Sequence, residues 1–289
     1  MAYKSYRRRR RSRRPNAFVL LLAAIFAVNF ILWSNRSLQV ETFTFRSSDL
    51  PAGFDGCTIV QLSDLHGAEF GDGNGDLLAA VAAANPDYIV LTGDLLDQYR
   101  ETPEGYAVEL CEKLTAIAPT YYVTGNHEWA SANVRALKSA ISETGTNILT
   151  NDHLTLERGG DKILLAGIDD PNGFADQKTP RELADEINEV WSDGFWILLA
   201  HRNNYFAKSY STLGADLVIS GHAHGGLIRL PLTDGLIGVE RDLFPSYTAG
   251  FYEVNDSALF VSRGLGNSGR TFRLFNRPQV AVLTLERGE

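Results

Sequence analysis

The sequence predicts one α/β domain with two stacked sheets and helices on the outside, preceded by a single transmembrane helix. Three observations predict this fold. A long apolar run lies near the N-terminus, strand-like and helix-like segments then alternate, and the C-terminal part is mostly strand-like. This order fits two sheets packed against each other with helices covering them. By length alone, the 289 residues could also form two smaller domains.

The charge of the chain is unevenly distributed. Residues 1–15 contain eight Lys and Arg residues and no acid, which leaves 19 basic and 35 acidic residues in the remainder. Proteins that bind nucleic acid present a basic surface to the phosphates. We therefore expect no nucleic-acid partner for the folded body, and no segment indicates a particular protein partner.

The first element is a candidate membrane helix. Residues 17–33, AFVLLLAAIFAVNFILW, are apolar except for Asn29, and this length is at the short end for crossing a bilayer. Arginines precede the run and none follows it immediately. Because Lys and Arg favour the cytoplasmic side, this predicts a single-pass protein of the cell membrane with a cytoplasmic N-terminus and an extracytoplasmic domain. Trp33 would lie at the far interface.

A cleaved signal peptide is the alternative to this anchor. No small-residue cleavage pattern follows the run, since Leu32, Trp33 and Arg36 suit cleavage poorly. A twin-arginine export signal at residues 12–14 is poorly matched by the Pro15 that follows. We expect a basic cytoplasmic tail at 1–16, a transmembrane anchor at 17–34, a tether and first strand at 35–50, and the catalytic domain at 51–289.

The strands are predicted where segments are short, rich in β-branched or aromatic residues, and followed by polar residues. In chain order they are VETFTF, CTIVQL, DYIVLT, TYYVT, NILTN, HLTLE, DKILLAGI, FWILLA, DLVISG, GFYEV, ALFVSRG and QVAVLTLE.

Four helices are predicted between these strands: DLLAAVAAA, TPEGYAVELCEKLTAIAP, SANVRALKSAISETG and TPRELADEINEVW. In the second, apolar residues recur at helical spacing. Thr102 is its predicted cap, with Pro103 in the first turn, and the fourth helix also begins with Thr-Pro.

The chain has two cysteines, Cys57 at the start of a strand and Cys111 on the apolar face of a helix. We favour two buried free thiols. A disulfide remains an alternative for a domain outside the cytoplasm.

Polar residues follow five of the buried strands directly. The five tips are Ser63–His66, Gly93–Asp97, Gly125–Glu128, His201–Arg202 and Gly221–His224. The carboxyl ends of strands in open α/β sheets converge on a shared crevice. Five of the six histidines, all but His153, lie in these tips, so we expect one common site.

The residue types in these tips indicate metal binding. Carboxylates, imidazoles and an amide oxygen, without thiolates, suit divalent Mn, Fe or Zn. Seven such ligands exceed what one four-coordinate zinc needs, so the sequence predicts two ions that share a bridging carboxylate. Glycines at positions 93, 125, 221, 225 and 226 allow tight turns and close approach of a substrate.

The order of motifs, D-x-H, G-D-x-x-D, G-N-H-E, a lone H and G-H-x-H, resembles the calcineurin-like metallophosphoesterase superfamily over roughly residues 57–270. The segments Tyr247–Gly250 and Ser262–Gly266 resemble the bacterial membrane- or wall-associated branch. The resemblance implies a four-layer α-β-β-α sandwich of two mixed sheets and a dinuclear metal site.

The resemblance also implies a role for each candidate site residue in the polar tips. One ion would be held by Asp64, His66 and His224, the other by Asn126, His201 and His222, with Asp94 bridging the two. His127 matches the residue beside the scissile phosphate that acts as an acid or oxyanion partner.

The implied activity is hydrolysis of a phosphomonoester, phosphodiester or pyrophosphate bond. Two cations would lower the pKa of a bridging water and give hydroxide near neutral pH, and a histidine suits protonation of the leaving group. Two departures from this branch, Leu227 for a frequent Gln and Asn203 for a common Pro, concern substrate contacts rather than ligands.

Several polar residues near the tips are expected to play supporting roles. We expect Asp97 to support the ligands or cap a turn, and Glu128 to orient its loop. Asp169 and Asp170 end another strand and could face the site, but a role in a turn before Pro171 is favoured. Arg202 has two interpretations, a contact to substrate phosphate or an ordinary solvent-exposed arginine. His153 lies outside the tips and is interpreted as structural.

An EF-hand is excluded for the acidic stretch Asp72–Asp76. The sixth position of such a loop requires Gly and is Leu77 here, and the twelfth is Ala83. We expect a solvated turn before a helix.

Two other classes of function were weighed. A zinc hydrolase of peptide or amide bonds would be expected to carry H-E-x-x-H, which does not occur. A catalytically silent, membrane-tethered metal-binding or adaptor protein remains the alternative.

The location predicted for the domain makes the substrate either a phosphorylated small molecule or a lipid-linked phosphate. Leu227, Leu230, Leu243 and Phe244 could form a lip for acyl chains or could belong to the core.

Overall fold

The computed structural model describes residues 16–131, 133–173, 177–192, 194–230 and 233–288. The basic block predicted at 1–15 lies outside the described residues. The helices are α1 (Ala17–Arg36), α2 (Gly75–Ala83), α3 (Glu104–Thr115), α4 (Asn126–Ser131), α5 (Val134–Ser142) and α6 (Pro180–Val190). The strands are β1 (Gln39–Ser47), β2 (Cys57–Leu62), β3 (Tyr88–Thr92), β4 (Thr120–Val123), β5 (Asn147–Ile148), β6 (Asp152–Arg158), β7 (Asp161–Ile168), β8 (Trp196–Arg202), β9 (Leu217–Gly221), β10 (Gly250–Val254), β11 (Ser257–Val261) and β12 (Gln279–Arg287).

The strands form two mixed six-stranded sheets. The first has the order β1-β12-β2-β3-β4-β5 and the second the order β10-β11-β9-β8-β7-β6. In the first sheet β2, β3, β4 and β5 run parallel. In the second, β7, β8, β9 and β11 run parallel, while β6 and β10 are antiparallel edge strands. The parallel strands at the centre of each sheet carry the loops that contain the five polar tips.

Three apolar cores separate four layers. The central core lies between the sheets and contains Ile59 of the first sheet and Ile219 of the second. Neighbouring residues point the other way because strand side chains alternate, so Val60 packs toward α2, α3 and α5. Val218 likewise packs toward α6. The predicted four-layer α-β-β-α sandwich is confirmed.

The two Thr-Pro helix starts behave differently. Thr179 caps α6 in a capping box, in which the Glu182 carboxylate accepts from the backbone N–H of Thr179. The predicted cap at Thr102 is wrong, since α3 begins at Glu104 and Pro103 occupies the capping position without a side-chain bond. The residue three positions after Thr102 is Gly105, which has no side chain to return the reciprocal bond of a capping box.

The segment between β4 and β5 also differs from the prediction. The single helix predicted from SANVRALKSAISETG is preceded by a separate short helix, α4, which begins within the polar tip at Asn126, and α5 begins only at Val134. Asn133 caps α5 by accepting from the N–H of Ala136. The Asn-His-Glu tip is therefore helical rather than an irregular loop.

The N-terminal helix α1 has 20 residues, a mean hydropathy of 2.4 and almost no buried surface. Its length and composition are sufficient to cross a membrane. Asn16 caps its start by accepting from the N–H of Phe18, and β1 follows almost immediately at Gln39.

Both cysteines are free and fully buried, and burial raises the pKa of each thiol to about 12. Because the thiolate is the reactive form, we expect iodoacetamide at about pH 8 to label neither Cys57 nor Cys111 in the native protein. Both should be labelled after denaturation in guanidinium chloride. Mass spectrometry of the intact chain measures the labelling, and modification without denaturant would contradict the burial.

Candidate metal centre

Five loops meet at one edge of the sandwich. They follow β2, β3 and β4, which are parallel neighbours in the first sheet, and β8 and β9, which are parallel neighbours in the second. Their carboxyl ends open on the same crevice, as the sequence predicts. All seven predicted ligands and His127 lie in this crevice, and all but the half-buried Asn126 are buried.

Three overlapping groups of side chains have the spacing of metal ligands. They are Asp64, His66 and His224; His66, Asp94 and His127; and Asp94, His201 and His222, and the possible ligand atoms within each group lie within 4.8 Å of one another. His66 and Asp94 each belong to two groups. The groups therefore form one continuous cluster rather than separate pockets.

Asp94 lies at the centre of this cluster. Its Oδ2 is 3.2 Å from Nε2 of His201, 3.8 Å from Nε2 of His66 and 3.9 Å from Nε2 of His127. On one side, Nε2 of His66 lies 3.0 Å from Nε2 of His224. A carboxylate in this position has one group of ligands on each side.

Asn126 and His222 complete the side of the cluster around His201. The Oδ1 of Asn126 lies 3.2 Å from Nε2 of His201, and Nδ1 of His222 lies 3.2 Å from the same nitrogen. The other ring nitrogen of His201, Nδ1, lies 2.7 Å from the carbonyl oxygen of Thr92. This backbone contact leaves Nε2 directed at Asp94.

The electrostatics of the cluster fit bound cations. Burial lowers the pKa of His66 to about 3 and the pKa values of His222 and His224 well below their usual range. These rings are therefore neutral at pH 7, which is the form that binds metal. Burial also raises the pKa of Asp64 to about 6, and the nearby charge of His201 offsets this shift only in part.

His201 shows the opposite shift. Burial lowers its pKa, but the charge of Asp94 and the hydrogen bond to it outweigh burial and raise the pKa to about 10. The position beside Asp94 thus favours positive charge, which a divalent ion would supply. The residues present fit such an ion in donor type and convergence, and His201 would release its proton on binding the ion.

The backbone of the cluster is strained. Five of the seven predicted ligands have left-handed φ angles: Asp64, His66, Asp94, His222 and His224, with φ between 48° and 66°. Such conformations cost about 1–3 kcal/mol each for residues other than glycine and occur mainly at functional sites. Backbone bonds between the first two loops, such as His66 N–H to the Asp94 carbonyl at 2.9 Å, hold them in place.

Two glycines are required by close packing around the carboxylates. A Cβ on Gly125 would collide with the carboxylate of Asp94, and a Cβ on Gly221 would collide with Ser63 and the carboxylate of Asp64. Both glycines precede predicted ligands in the chain. They allow the backbone to approach the acids closely.

Glu128 orients the loops, in agreement with the sequence-based expectation. Its carboxylate accepts from the backbone N–H groups of Asp94, Leu96 and Gly125 at 2.9, 3.0 and 2.7 Å. Burial, followed by the nearby charge of Asp94, raises the pKa of Glu128 to about 7. This buried acid fixes the position of the loop that carries Asp94.

His127 presents one nitrogen to the cleft. Its Nδ1 accepts from the backbone N–H of Gln98 at 3.0 Å, so the proton of the neutral ring is on Nε2. That nitrogen lies 3.4 Å from Oγ of Ser268 and 3.9 Å from Oδ2 of Asp94. Asp97, whose Oδ1 is 3.3 Å from Nδ1, supports this loop as expected.

The remaining polar residues have structural partners. Asp170 pairs with Arg202 at 2.6 Å, so Arg202 is held by a buried acid and is not an ordinary solvent-exposed arginine. Asp169 accepts from Thr124 and Lys138. His153 lies on β6, away from the cluster. The stretch beginning at Asp72 forms a single 3-10 turn before α2, as predicted.

Arg273 was not predicted from the sequence. It is fully buried, its Nη2 lies 3.2 Å from Nδ1 of His224, and it donates to the carbonyl oxygens of Gly266 and Arg263. Burial lowers its pKa to about 9. The residue lies in the loop between β11 and β12, where no motif or strand end marks it, so no local pattern identifies it as part of the site.

The cluster opens into a cleft of about 910 Å³ lined by Asp94, Asn126, His127, His222 and His224 together with residues of the loops that follow β9 and β11. The family model described as calcineurin-like phosphoesterase matches residues 57–226, which include all eight predicted site residues. The chain belongs to this family. It is a metal-dependent phosphoesterase, and the resemblance stated from its motifs is confirmed.

Relatives match over most of the chain. The uncharacterized metallophosphoesterase YkuE of Bacillus subtilis is 32% identical over 86% of this chain and 86% of its own length. YkoQ of the same organism is 29% identical over 91% of this chain and 97% of its own length. A Danio rerio protein named transmembrane protein with metallophosphoesterase domain is 28% identical over 94% of this chain and 63% of its own length.

Proposed function

We propose that this phosphoesterase hydrolyses a phosphomonoester, phosphodiester or pyrophosphate bond with two divalent ions, which are Mn, Fe or Zn. The proposed ligands are Asp64, His66 and His224 for one ion and Asn126, His201 and His222 for the other, with Asp94 shared. The observation that carries the proposal is the central position of Asp94, which lies between two groups of buried donors.

The chemistry divides between the ions and the side chains. When bound, the ions supply positive charge for the phosphoryl oxygens and lower the pKa of water so that it attacks phosphorus near neutral pH. His127 in its doubly protonated form donates the proton on Nε2, the nitrogen that faces the cleft, to the departing oxygen and becomes neutral. Asp97, whose Oδ1 lies 3.3 Å from Nδ1, stabilises the charge of the protonated ring. Glu128 keeps Asp94 in position through three backbone bonds.

We propose that the enzyme is a single-pass protein of the cell membrane with its catalytic domain outside the cytoplasm. Helix α1 supports this by its length and hydropathy, and the name of the Danio rerio relative supports a membrane-bound form. The arginine-rich sequence before α1 supports the cytoplasmic side for the N-terminus. The substrate is then a phosphorylated small molecule or a lipid-linked phosphate.

Hydrolysis of p-nitrophenyl phosphate and bis-p-nitrophenyl phosphate tests the proposal. We expect the metal-free chain to be inactive, Mn²⁺ to restore turnover of at least one substrate, and EDTA to remove it again. Elemental analysis should give about two ions per chain. Asp72→Asn, which alters an exposed turn, serves as a control and should retain full activity.

The same assays distinguish the proposed enzyme from the alternative function. A chain that binds metal but turns over neither substrate would support a catalytically silent, membrane-tethered metal-binding or adaptor protein. A single ion at saturating Mn²⁺ would contradict the shared role of Asp94.

A further inference from the structure

Five large apolar side chains lie exposed on neighbouring loops, and we call them the apolar rim: Leu230, Leu243, Phe244, Phe272 and Phe275. Each is at least 45% exposed, and Leu243 and Phe244 reach 71% and 74%. Isolated exposed apolar residues are common in soluble proteins, but a cluster indicates a binding surface. The possibility that Leu230, Leu243 and Phe244 belong to the core is therefore wrong.

The rim is continuous because its two loops are paired. Ile228, in the loop after β9, bridges to Leu274, in the loop after β11, and the N–H of Arg229 donates to the carbonyl of Leu274 at 3.0 Å. Within the first loop, Ile237 bridges to Leu243. The first loop supplies Leu227 and Ile237 to the wall of the cleft and the second supplies Ser268 and Thr271, so the rim borders the cleft.

Helix α1 contacts one of these loops directly, so the segment that follows it is not the free tether predicted from the sequence. The Asn35 side chain donates to the carbonyl of Arg273 at 2.9 Å and accepts from its N–H at 2.7 Å. The ring of Phe30 packs on Phe275 with centroids 4.9 Å apart. The guanidinium of Arg277 lies 4.9 Å from the ring centre of Trp33.

These contacts fix the position of Phe275 along the axis of α1, and therefore its depth in a membrane that α1 crosses. Phe30 lies six residues before the end of α1 at Arg36, which is about 9 Å along the axis at the rise of an α-helix. Phe275 touches Phe30, so it lies about that far below the outer end of the helix. Apolar faces of interfacial proteins enter the boundary between headgroups and acyl chains to about 5–10 Å, which is the same depth.

The charges at the cleft mouth complement an anionic lipid surface. Arg100, Arg241 and Arg270 are exposed and line the cleft, with Glu240 as an exposed acid among them. Arg100 pairs with Asp97 at 2.7 Å, so Arg241 and Arg270 are the cations directed to the lipid surface. Cationic side chains beside an apolar patch attract phosphate headgroups while the patch enters the bilayer. The body of the protein is otherwise acidic, so this local excess of arginine distinguishes the face beside the rim.

We propose that the apolar rim inserts into the membrane leaflet from which α1 emerges, so that the cleft opens among the lipid headgroups and the hydrolysed phosphate is carried by a lipid of that leaflet. The membrane contact rests on the proposed membrane anchor α1 and not on catalysis, whereas the substrate class rests on the proposed hydrolytic function as well. A small water-soluble phosphate ester would need neither the rim nor its position beside the cleft.

Fluorescence quenching in nanodiscs tests the membrane contact. In the full-length chain, Leu243→Cys is labelled with NBD, and the matched control is Val190→Cys on α6, which is 67% exposed. The native thiols are buried and do not compete for the label. We expect nitroxide-labelled lipids to quench the label at 243 by roughly twofold or more and to leave the label at 190 nearly unchanged. Equal quenching at both positions would overturn the proposal.

Turnover tests the substrate class. Leu243→Asp with Phe244→Asp should reduce hydrolysis of phosphatidic acid and phosphatidylglycerol in nanodiscs by about tenfold or more, while hydrolysis of bis-p-nitrophenyl phosphate stays unchanged. A parent chain that hydrolyses the soluble ester but neither lipid, or equal losses on both kinds of substrate, would overturn the lipid assignment. An inactive parent with strong quenching at 243 would instead contradict the proposed function and leave the membrane contact standing.

Discussion

Asp94→Asn is expected to reduce kcat on bis-p-nitrophenyl phosphate by about 1,000-fold or more and to lower the bound metal below two ions per chain. Changes to residues that merely support a ligand already cost about 10–100-fold, and Asp94 is the acid that we propose the two ions share. An amide oxygen has no charge and cannot hold two cations together. Steady-state kinetics and elemental analysis in parallel measure the two effects.

This substitution is designed to leave the fold intact. Asparagine has nearly the shape of aspartate and keeps an oxygen that accepts from the backbone N–H of His127, a bond of 2.8 Å in the native chain. Thermal unfolding of the metal-free variant should therefore resemble that of the metal-free parent. Full activity with two bound ions would show that Asp94 is not the shared ligand.

His127→Gln is expected to reduce kcat on an alkyl phosphodiester by about 100-fold or more, with KM changed little, because general-acid catalysis contributes about 10²–10⁴-fold. Glutamine can donate a hydrogen bond but does not transfer a proton. The loss should be smaller on p-nitrophenyl esters, whose leaving group needs no proton. Comparing kcat for the two leaving groups therefore separates proton donation from substrate positioning.

His153 provides the matched control for this prediction. It lies on β6, away from the metal cluster, so His153→Gln should leave kcat and the metal content at the parent values. Equal losses on alkyl and p-nitrophenyl esters in His127→Gln would assign that residue to positioning rather than to proton donation.

Much of the fold and of the metal cluster could be predicted from the sequence. Each buried strand that contributes to the site is followed at once by its polar tip, so a local pattern identifies both the element and the donors, as in Asp64 and His66 after β2. The parallel arrangement of neighbouring strands then brings the tips together.

The errors have a common origin. Thr102 does not cap α3, since its side chain packs beside Gly67 of the loop after β2 and Pro103 takes the capping position. Arg273 reaches His224 from a loop that carries no motif. The exposure of Phe244 and its neighbours depends on how two distant loops pair. The residue type of an apolar side chain in a loop does not by itself show whether that side chain is buried.

By itself, the sequence determined the long apolar N-terminal helix, the alternation of strands and helices, and the possible metal donors at the strand ends, because each is encoded within a few consecutive residues. Only the tertiary structure decided that Asp94 lies between two groups of donors, that Asn35 ties α1 to the loop of Arg273, and that an exposed apolar rim borders the cleft. These features depend on contacts between residues far apart in the chain, and packing of the whole domain fixes such contacts rather than any local pattern.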